Sequence, residues 1–237
     1  MEVAEQKRAA AAAALEWLEP LLHREQVVGI GTGSTADHFI DLLAPHRARF
    51  AGAVASSSRS VERLSRLGVR IFDLNDVDEL PFYVDGADEV NQRLEMIKGG
   101  GGALTREKIV AAAAAVFVCI ADASKRVTAL GKFPLPVEVI PMARTQVMRA
   151  IVALSRGEAL GEPTIVVRTN ADGSRYVTDN GNVILDVGGW TIDQPRRIEP
   201  LLGGIVGVVE SGLFALRGAD RLLLAGPDGV ESVIRAA

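Results

Sequence analysis

The residues best suited to chemistry lie between Asp85 and Glu107, in the segment DGADEVNQRLEMIKGGGGALTRE. Asp85 and Asp88 are three residues apart, and Lys98 is followed directly by a run of glycines. Glycines allow backbone N–H groups to close around an oxyanion, and the lysine adds positive charge. Carboxylates on either side can hold hydroxyl groups and transfer a proton. Together these residue types predict a site that enolises a small anionic sugar.

A second glycine-rich turn, GIGTGSTADHF at 29–39, lies between a predicted strand and a predicted helix. Backbone N–H groups and the dipole at a helix N-terminus favour an anion, and Thr32, Ser34 and Thr35 add hydroxyl donors around Gly33. The turn is not a Walker A loop, because no Gly-Lys-Ser/Thr follows, and its third glycine comes one residue early for GxGxxG. It predicts either a phosphate-binding loop or a tight turn with Ser34 as N-cap.

The acidic pair and the glycine run each allow other interpretations. Asp85 and Asp88 follow a predicted strand, where ligands of open α/β sheets bind, but an Asp-Gly turn capped by Asp88 would use the same residues. They could also form a weak magnesium site, although His23, His38 and His46 show no ligand spacing. The glycine run could be a flexible linker, but a predicted helix starts at once after it, which favours an anion-binding loop.

Two further charged residues have ordinary alternatives. Glu107 falls in the first turn of a predicted helix, where the helix dipole stabilises any acid. Lys125 follows a predicted strand and could reach the same crevice, or it could be a solvated surface lysine.

The composition predicts a soluble protein of the α/β class. With 48% apolar but only 5% aromatic residues, the core must be built from Val, Ile, Leu and Ala, as in parallel strands covered by helices. The longest apolar run, from Ile109 to Ala121, is too short to span a bilayer, and the alanine-rich start predicts a helix rather than a signal peptide. Cys119 is the single cysteine and fits a reducing cytoplasm. The net charge of −4 argues against nucleic-acid binding.

The order of predicted elements gives the fold class. Up to about residue 121, strands at 27–30, 51–56, 69–74, 82–86 and 116–121 alternate with helices, which predicts a Rossmann-like, doubly wound parallel sheet. From Phe133 onward the pattern predicts a smaller inserted α+β (ferredoxin-like) domain. Its first strand, PLPVEVIP, is bracketed by prolines and is predicted at a boundary or edge, and Asn180-Gly181 predicts a hairpin turn. We expect domains at 1–130 plus 208–237 and at 131–207, the second involved in oligomerisation.

The segments GTGSTA, VDGADE, KGGGGALTREK and SKRVTALGKFPLPVEVIP, in this order, resemble the type A ribose-5-phosphate isomerase family. VTDNGNVILDV and GLFALRGAD also fit, so the resemblance covers nearly the whole chain. It implies interconversion of D-ribose 5-phosphate and D-ribulose 5-phosphate in the non-oxidative pentose phosphate pathway, through a cis-enediolate. It also implies that no metal or organic cofactor is needed, and that the protein forms a homodimer or higher homo-oligomer.

The resemblance assigns roles to individual residues. The general base falls on Glu107, the lysine against the developing negative charge on Lys98, and the position that holds the sugar hydroxyls on Asp85, with Asp88 assisting. The other substrate-binding positions fall on Lys7, Thr32, Gly33, Ser34, Thr35, Gly86, Ala87, Gly99, Gly100, Gly101 and Lys125. Among them Lys7 is the weakest match.

The chain departs from the family pattern at two places. Gly102 stands where alanine is usual, and the segment SRGEALGEPTIVVRTNADG looks longer than usual. Two other functions fit less well. A sugar-phosphate sensor would need a helix-turn-helix before the sheet, yet only about one helix precedes Val27. A coenzyme A transferase or amino-sugar phosphate deaminase is disfavoured by the joint presence of Asp85, Lys98 and Glu107.

Overall fold

The computed structural model describes residues 1–235. The α-helices within this range are α1 (Val3–Leu18), α2 (Ser34–Leu43), α3 (Ser58–Arg66), α4 (Leu104–Ala113), α5 (Arg144–Glu158) and α6 (Pro195–Gly203). The strands are β1 (Val27–Ile30), β2 (Gly52–Ala55), β3 (Leu80–Asp85), β4 (Glu89–Val90), β5 (Met96–Ile97), β6 (Ala114–Asp122), β7 (Leu135–Val139), β8 (Thr164–Val167), β9 (Val183–Gly188), β10 (Val208–Ser211), β11 (Leu213–Phe214), β12 (Arg221–Gly226) and β13 (Gly229–Ile234). None of these helices combines the length and apolar character needed to cross a bilayer.

The chain divides into two compact units, and the first contains the larger sheet. This unit comprises Met1–Ala87, Arg106–Arg126 and the residues from Ala219 onward. Its strands have the order β13-β12-β6-β3-β1-β2, and every neighbouring pair is parallel except the edge hairpin β12–β13. Because the chain runs from β1 to β2 on one side and then to β3 on the other, the sheet is doubly wound, as predicted.

The apolar character of the central strands and of α1 explains how this sheet is covered. All four residues of β1 are buried, as expected for a parallel strand packed on both faces. The alanines Ala10, Ala11 and Ala14 of α1 are fully buried in the same cluster as Val28 and Phe39. Small side chains allow the helix to approach the sheet closely, so the alanine-rich start is a core helix. Cys119, in the apolar strand β6, is also buried.

The second unit, Asp88–Thr105 with Val127–Gly218, contains a four-stranded antiparallel sheet of order β10-β7-β9-β8. Its chain order, β7-α5-β8-β9-α6-β10, is the split βαβ arrangement of ferredoxin-like folds, as the sequence predicted. Val137, Ile151, Leu185 and Trp190 belong to the buried core of this unit. A small three-stranded sheet, β11-β5-β4, belongs to the same unit.

Two strand predictions were wrong. The run at 69–74 forms only an isolated bridge between Ile71 and Ala53, because Asp73 accepts the N–H of Asn75 and starts a 3-10 turn. For the proline-rich strand β7, predicted at a boundary or an edge, the edge alternative is wrong, because β7 is central, between β10 and β9. Within this strand the carbonyl of Pro136 accepts the N–H of Gly212 (2.7 Å).

The predicted turn at Asn180-Gly181 is confirmed. Gly181 has φ +80°, and Thr178 donates its N–H to the carbonyl of Asn182 (2.9 Å). Only the second of the two predicted flanking runs forms a strand, β9. The first, YVT at 176–178, forms no strand, and the nearest pairing is an isolated bridge between Thr169 and Arg175, just before it.

Residues 127–130 belong to the second compact unit, although they were predicted in the larger domain. The compact units also differ from the predicted boundaries at 88–105 and 208–218. These segments group with the antiparallel unit because β11 pairs with β5, with Leu213 opposite Ile97. Compact units are not necessarily domains that fold alone, so the predicted boundaries stay a prediction. Ala236 and Ala237, which were assigned to the larger domain, lie outside the described residues.

Candidate active site

Asp85 is the last residue of β3 and is completely buried. Its Oδ1 accepts the backbone N–H groups of Thr32 (3.0 Å) and Gly86 (2.7 Å), and its Oδ2 accepts the hydroxyl of Tyr83. A Cβ at residue 31 would lie 1.9 Å from the Asp85 Cγ, so only glycine fits there. The carboxylate is therefore fixed against the glycine-rich turn that follows β1.

This carboxylate lies where an open α/β sheet is expected to bind ligands. Strands β1 and β3 are parallel neighbours, with Ile30 opposite Val84, so their carboxyl ends meet at one edge. The chain reverses its direction of winding between these two strands, and the crevice outside such a switch point is the usual ligand site. The tertiary structure thus favours a functional interpretation of Asp85 over a simple turn.

Tyr83 is a site residue that sequence reasoning missed. Burial raises the pKa of its hydroxyl well above the ordinary value, and the negative charges of Asp85 and Glu107 and the hydrogen bond to Asp85 raise it further. The hydroxyl therefore stays protonated and donates. One signal could have found it: residues two apart in a strand point to the same face, so Tyr83 had to share the face of Asp85.

Glu107 lies in the first turn of α4 and is only 2% exposed. Its negative charge, like that of Asp85, raises the pKa of the Tyr83 hydroxyl. An acid placed merely to complement the helix dipole would more usually be exposed to water. The burial of Glu107 supports the chemical interpretation.

The turn at 31–35 has the features of an anion-binding loop. Gly33, with φ +115°, is the N-cap of α2, so the alternative in which Ser34 caps the helix is wrong. Lys7 of α1 donates from Nζ to the Ser34 Oγ (3.0 Å), which places a cation at the start of α2. The weakest match in the sequence is therefore brought to the loop by the fold. Thr35 is half-buried one residue further on.

Thr32 connects this loop to the next helix. Its Oγ1 donates to the Oγ of Ser57 (2.8 Å) and lies 2.9 Å from the Oγ of Ser56. Ser60 completes the hydroxyl cluster and donates to the carbonyl of Gly31 (2.7 Å). These bonds hold the loop in one conformation. The three serines were not among the predicted site residues, and only their density in SSSRS would have indicated them.

The glycine run after Lys98 belongs to the second unit and is held by specific hydrogen bonds. Lys98 is 2% exposed, and its Nζ lies 5.5 Å from the centroid of the Phe214 ring. Gly100 donates its N–H to the Asp88 Oδ2 (2.7 Å), and a Cβ at this glycine would lie 2.6 Å from the Asp88 Oδ1. Gly99 has φ +101°. A loop bound in this way is not a flexible linker.

Three predicted substrate-binding residues remain to be placed: Lys125, Ala87 and Gly101. Lys125 is half-buried in the 3-10 turn after β6, where Asp122 accepts the N–H of Ser124 (3.1 Å). Ala87 follows Gly86 directly, and Gly101 lies inside the glycine run. Within residues 1–235, no group of three or more His, Cys, Asp or Glu side chains is arranged to hold a metal ion.

The fold and these residues together define a class of protein. It is a Rossmann-like α/β protein with buried acids and an anion-type loop at the switch point, and it also contains a ferredoxin-like unit. The family model described as Ribose 5-phosphate isomerase A (phosphoriboisomerase A) matches residues 52–229. The chain therefore belongs to the ribose 5-phosphate isomerase A family.

Solved structures agree with this assignment over the full length. The chain is 44% identical to ribose 5-phosphate isomerase A from Neisseria gonorrhoeae, with a TM-score of 0.89, covering 100% of this chain and 99% of that one. It is 35% identical to a D-ribose-5-phosphate isomerase in complex with phospho-erythronic acid (TM-score 0.87; 99% and 100% covered). It is also 35% identical to ribose 5-phosphate isomerase A from Methanocaldococcus jannaschii (TM-score 0.86; 97% and 98% covered).

Proposed function

We propose that this chain interconverts D-ribose 5-phosphate and D-ribulose 5-phosphate by proton transfer through a cis-enediolate, with Glu107 as the general base. Isomerase function itself follows from the family. The mechanistic proposal is supported by two buried carboxylates, Asp85 and Glu107, whose negative charges both raise the pKa of the Tyr83 hydroxyl. A protected carboxylate close to a rigidly held partner suits proton abstraction from carbon.

The reaction needs one base that serves two carbon atoms. The Glu107 carboxylate removes the proton from C2 of the open-chain aldose. The electrons of the broken C–H bond form the C1–C2 double bond, and the carbonyl oxygen on C1 takes up the negative charge. Movement of the proton from the C2 hydroxyl to the C1 oxygen, followed by return of a proton from Glu107 to C1, completes the ketose.

Other residues stabilise the charge and hold the sugar. The family resemblance assigns Lys98 to the oxygen that becomes negative, and its 2% exposure means that water screens its charge little. Asp85, fixed by two backbone N–H groups and a hydroxyl, is suited to accept hydrogen bonds from sugar hydroxyls at a defined position. Asp88 assists, and ring opening is the step that we assign to it.

The phosphate must contribute to turnover as well as to affinity. A positioned base accelerates a reaction by about 10²–10⁴, and one charge-stabilising donor contributes roughly 10²–10³. Their product reaches only the low end of enzymatic accelerations. Binding energy from a remote group supplies the remainder by orienting the reacting carbons. The N-terminus of α2 with Lys7 and Ser34 is the proposed anchor.

We also propose the pathway, the cellular location and the oligomeric state of the enzyme. The resemblance implies the non-oxidative pentose phosphate pathway, a cytoplasmic location, a sugar phosphate as the substrate, and a homodimer or higher homo-oligomer. Sedimentation at several protein concentrations tests the last of these.

Formation of ribulose 5-phosphate in D2O tests the reaction and its intermediate together. Repeated turnover to equilibrium should introduce solvent deuterium at C1 of the ketose and C2 of the aldose. Conversion without any deuterium would instead indicate a hydride shift and would contradict the enediolate. Absence of conversion would contradict the function.

A further inference from the structure

Two side chains from the segment around β8 and β9 bind the carbonyl groups of the glycine run. Arg168 donates from Nη1 to the carbonyl oxygens of Gly99 (2.8 Å) and Gly100 (3.1 Å). Tyr176 donates its hydroxyl to the carbonyl of Gly101 (3.2 Å). Three consecutive carbonyl groups directly after Lys98 are thus held by two residues that the sequence did not indicate.

Arg168 is itself held in place. Its Nε and Nη2 donate to the two carboxylate oxygens of Asp186 on β9, at 2.9 and 2.5 Å, and its side chain is 13% exposed. The guanidinium carbon also lies 5.8 Å from the centroid of the Tyr176 ring. A planar guanidinium with two donors fixed on a carboxylate presents the remaining donors in a defined direction.

Fixing the carbonyl groups also fixes the N–H groups of the same peptides. In a planar peptide the C=O of one residue and the N–H of the next point in opposite directions. Holding the carbonyl of Gly99 therefore orients the N–H of Gly100, which donates to the Asp88 Oδ2 (2.7 Å). Holding the carbonyl of Gly100 turns the N–H of Gly101 away from Arg168 in the same manner. Without these bonds, a run of glycines would sample many conformations.

The unusual glycine of this loop fits the same arrangement. Gly102 has φ +83°, and a Cβ at this position would lie 2.1 Å from the Tyr176 hydroxyl. Alanine, which the family resemblance predicts here, would displace that hydroxyl from the carbonyl of Gly101. The lack of a side chain at Gly102 therefore leaves room for the Tyr176 hydroxyl to bind the carbonyl of Gly101.

We propose that Arg168 and Tyr176 are positioning residues for the isomerisation. They hold the glycine run so that the Gly100 N–H keeps its bond to Asp88, and this bond keeps the Asp88 carboxylate in position while negative charge develops on the substrate. The inference rests on the proposed function. It predicts that loss of these bonds lowers kcat more than it raises KM, because the loop then has to be ordered in each turnover.

The test compares Tyr176→Phe, Arg168→Lys and Arg168→Met with Arg175→Met, which removes an exposed arginine near the same turn. Tyr176→Phe should lower kcat about tenfold, the effect of one hydrogen bond, with KM changed less than about threefold. Arg168→Met should lower kcat about 100-fold, the scale of a misplaced site. Arg168→Lys should recover part of this loss, because a lysine keeps one positively charged donor group but lacks the planar set of fixed donors of a guanidinium. Arg175→Met should match the wild type.

Binding of phospho-erythronic acid gives a readout that a purely structural role would not change. Its carboxylate is planar and negative, as is the enediolate, so its affinity should fall in parallel with kcat/KM in Tyr176→Phe. Affinity for inorganic phosphate should stay the same. An active wild type with unaffected Tyr176→Phe and Arg168→Lys variants would overturn the inference alone. An inactive wild type would overturn the proposed function together with it.

Discussion

At the scale of single residues, the site depends on how burial controls protonation. Tyr83 illustrates this, since burial and two neighbouring carboxylates hold its hydroxyl in the protonated form. A protonated hydroxyl can donate to Asp85, whereas a tyrosinate would repel it. The residue therefore helps to keep Asp85 in place although the family resemblance gives it no role.

The raised pKa of Tyr83 predicts a pH dependence of stability. Between the unfolded pKa, about 10, and the higher folded pKa, the unfolded chain loses this proton and the folded protein keeps it. The free energy of unfolding should therefore be unaffected by this group below pH 10 and should decrease as the pH rises above it. Urea unfolding of wild type and Tyr83→Phe from pH 7 to 11 measures the effect as a difference, which cancels the contribution of Tyr176. A difference that stays constant with pH would contradict the prediction.

Glu107→Gln tests the general base. The amide keeps the size of the side chain but cannot accept a proton, so kcat should fall by about 10³ or more with little change in KM. Steady-state assays with ribose 5-phosphate measure the loss, and thermal unfolding should show a folded protein. Glu25→Gln, at an exposed acid in the same unit, is the matched control. Near-normal turnover in Glu107→Gln would remove this residue as the base.

At the scale of elements, the packing of helices, strands and loops brings together residues that are distant in the sequence. Helix α1 delivers Lys7 to the start of α2, where the Nζ of the lysine meets Ser34. Strand β7 delivers Glu138, which is completely buried and accepts from the Thr178 Oγ1 (2.8 Å), the Asn182 Nδ2 (2.9 Å) and the Thr105 Oγ1. The hydrogen bonds of Glu138 therefore connect the first turn of α4 to the turn before β9.

The proposed phosphate anchor predicts two effects. Ribose without phosphate should lose kcat as well as affinity, because the remote binding energy that orients the reacting carbons is absent. Lys7→Met should raise KM for ribose 5-phosphate about tenfold, the value of one charge-assisted contact, while Lys132→Met, at an exposed lysine, should have no effect. Equal kcat for the two sugars would exclude the anchor.

The Glu138 cluster predicts a loss of stability. In Glu138→Gln one acceptor oxygen is replaced by an NH2 group that faces other donors, so the free energy of unfolding should fall by about 2–3 kcal/mol. Urea denaturation measures it. Glu231→Gln, which removes an exposed ion pair with Arg126, should change stability by less than about 0.5 kcal/mol. A similar small change in both variants would show that the cluster contributes little.

At the scale of the whole molecule, the net charge of −4 gives no general attraction for an anionic substrate. Attraction must come from local cations and helix ends, and each unit supplies a lysine: Lys7 at the start of α2 in one, and Lys98 in the other. Location in the cytoplasm and the homo-oligomeric state stay predictions at this scale.

Removal of divalent metal ions should leave activity unchanged. Both oxygens of Asp85 are already bound by hydrogen-bond donors, which leaves a metal ion a poor competitor for this carboxylate. Activity of the intact protein after dialysis against EDTA measures this. A loss of activity restored by added magnesium would support the alternative in which Asp85 and Asp88 hold a metal ion.

The sequence by itself determined the fold class, the glycine-rich loops and the acidic residues around them. These depend on local chemistry: strand and helix periodicity, and backbone conformations that only glycine adopts, as at Gly33 and Gly99. The tertiary structure alone decided which distant residues support them. Ser57 and Ser60 on the loop after β1, and Arg168 and Tyr176 on the glycine run, each join parts of the chain more than twenty residues apart. The central position of β7 in its sheet was likewise decided by the tertiary structure. Such contacts are set by packing of the folded chain, which no local pattern records.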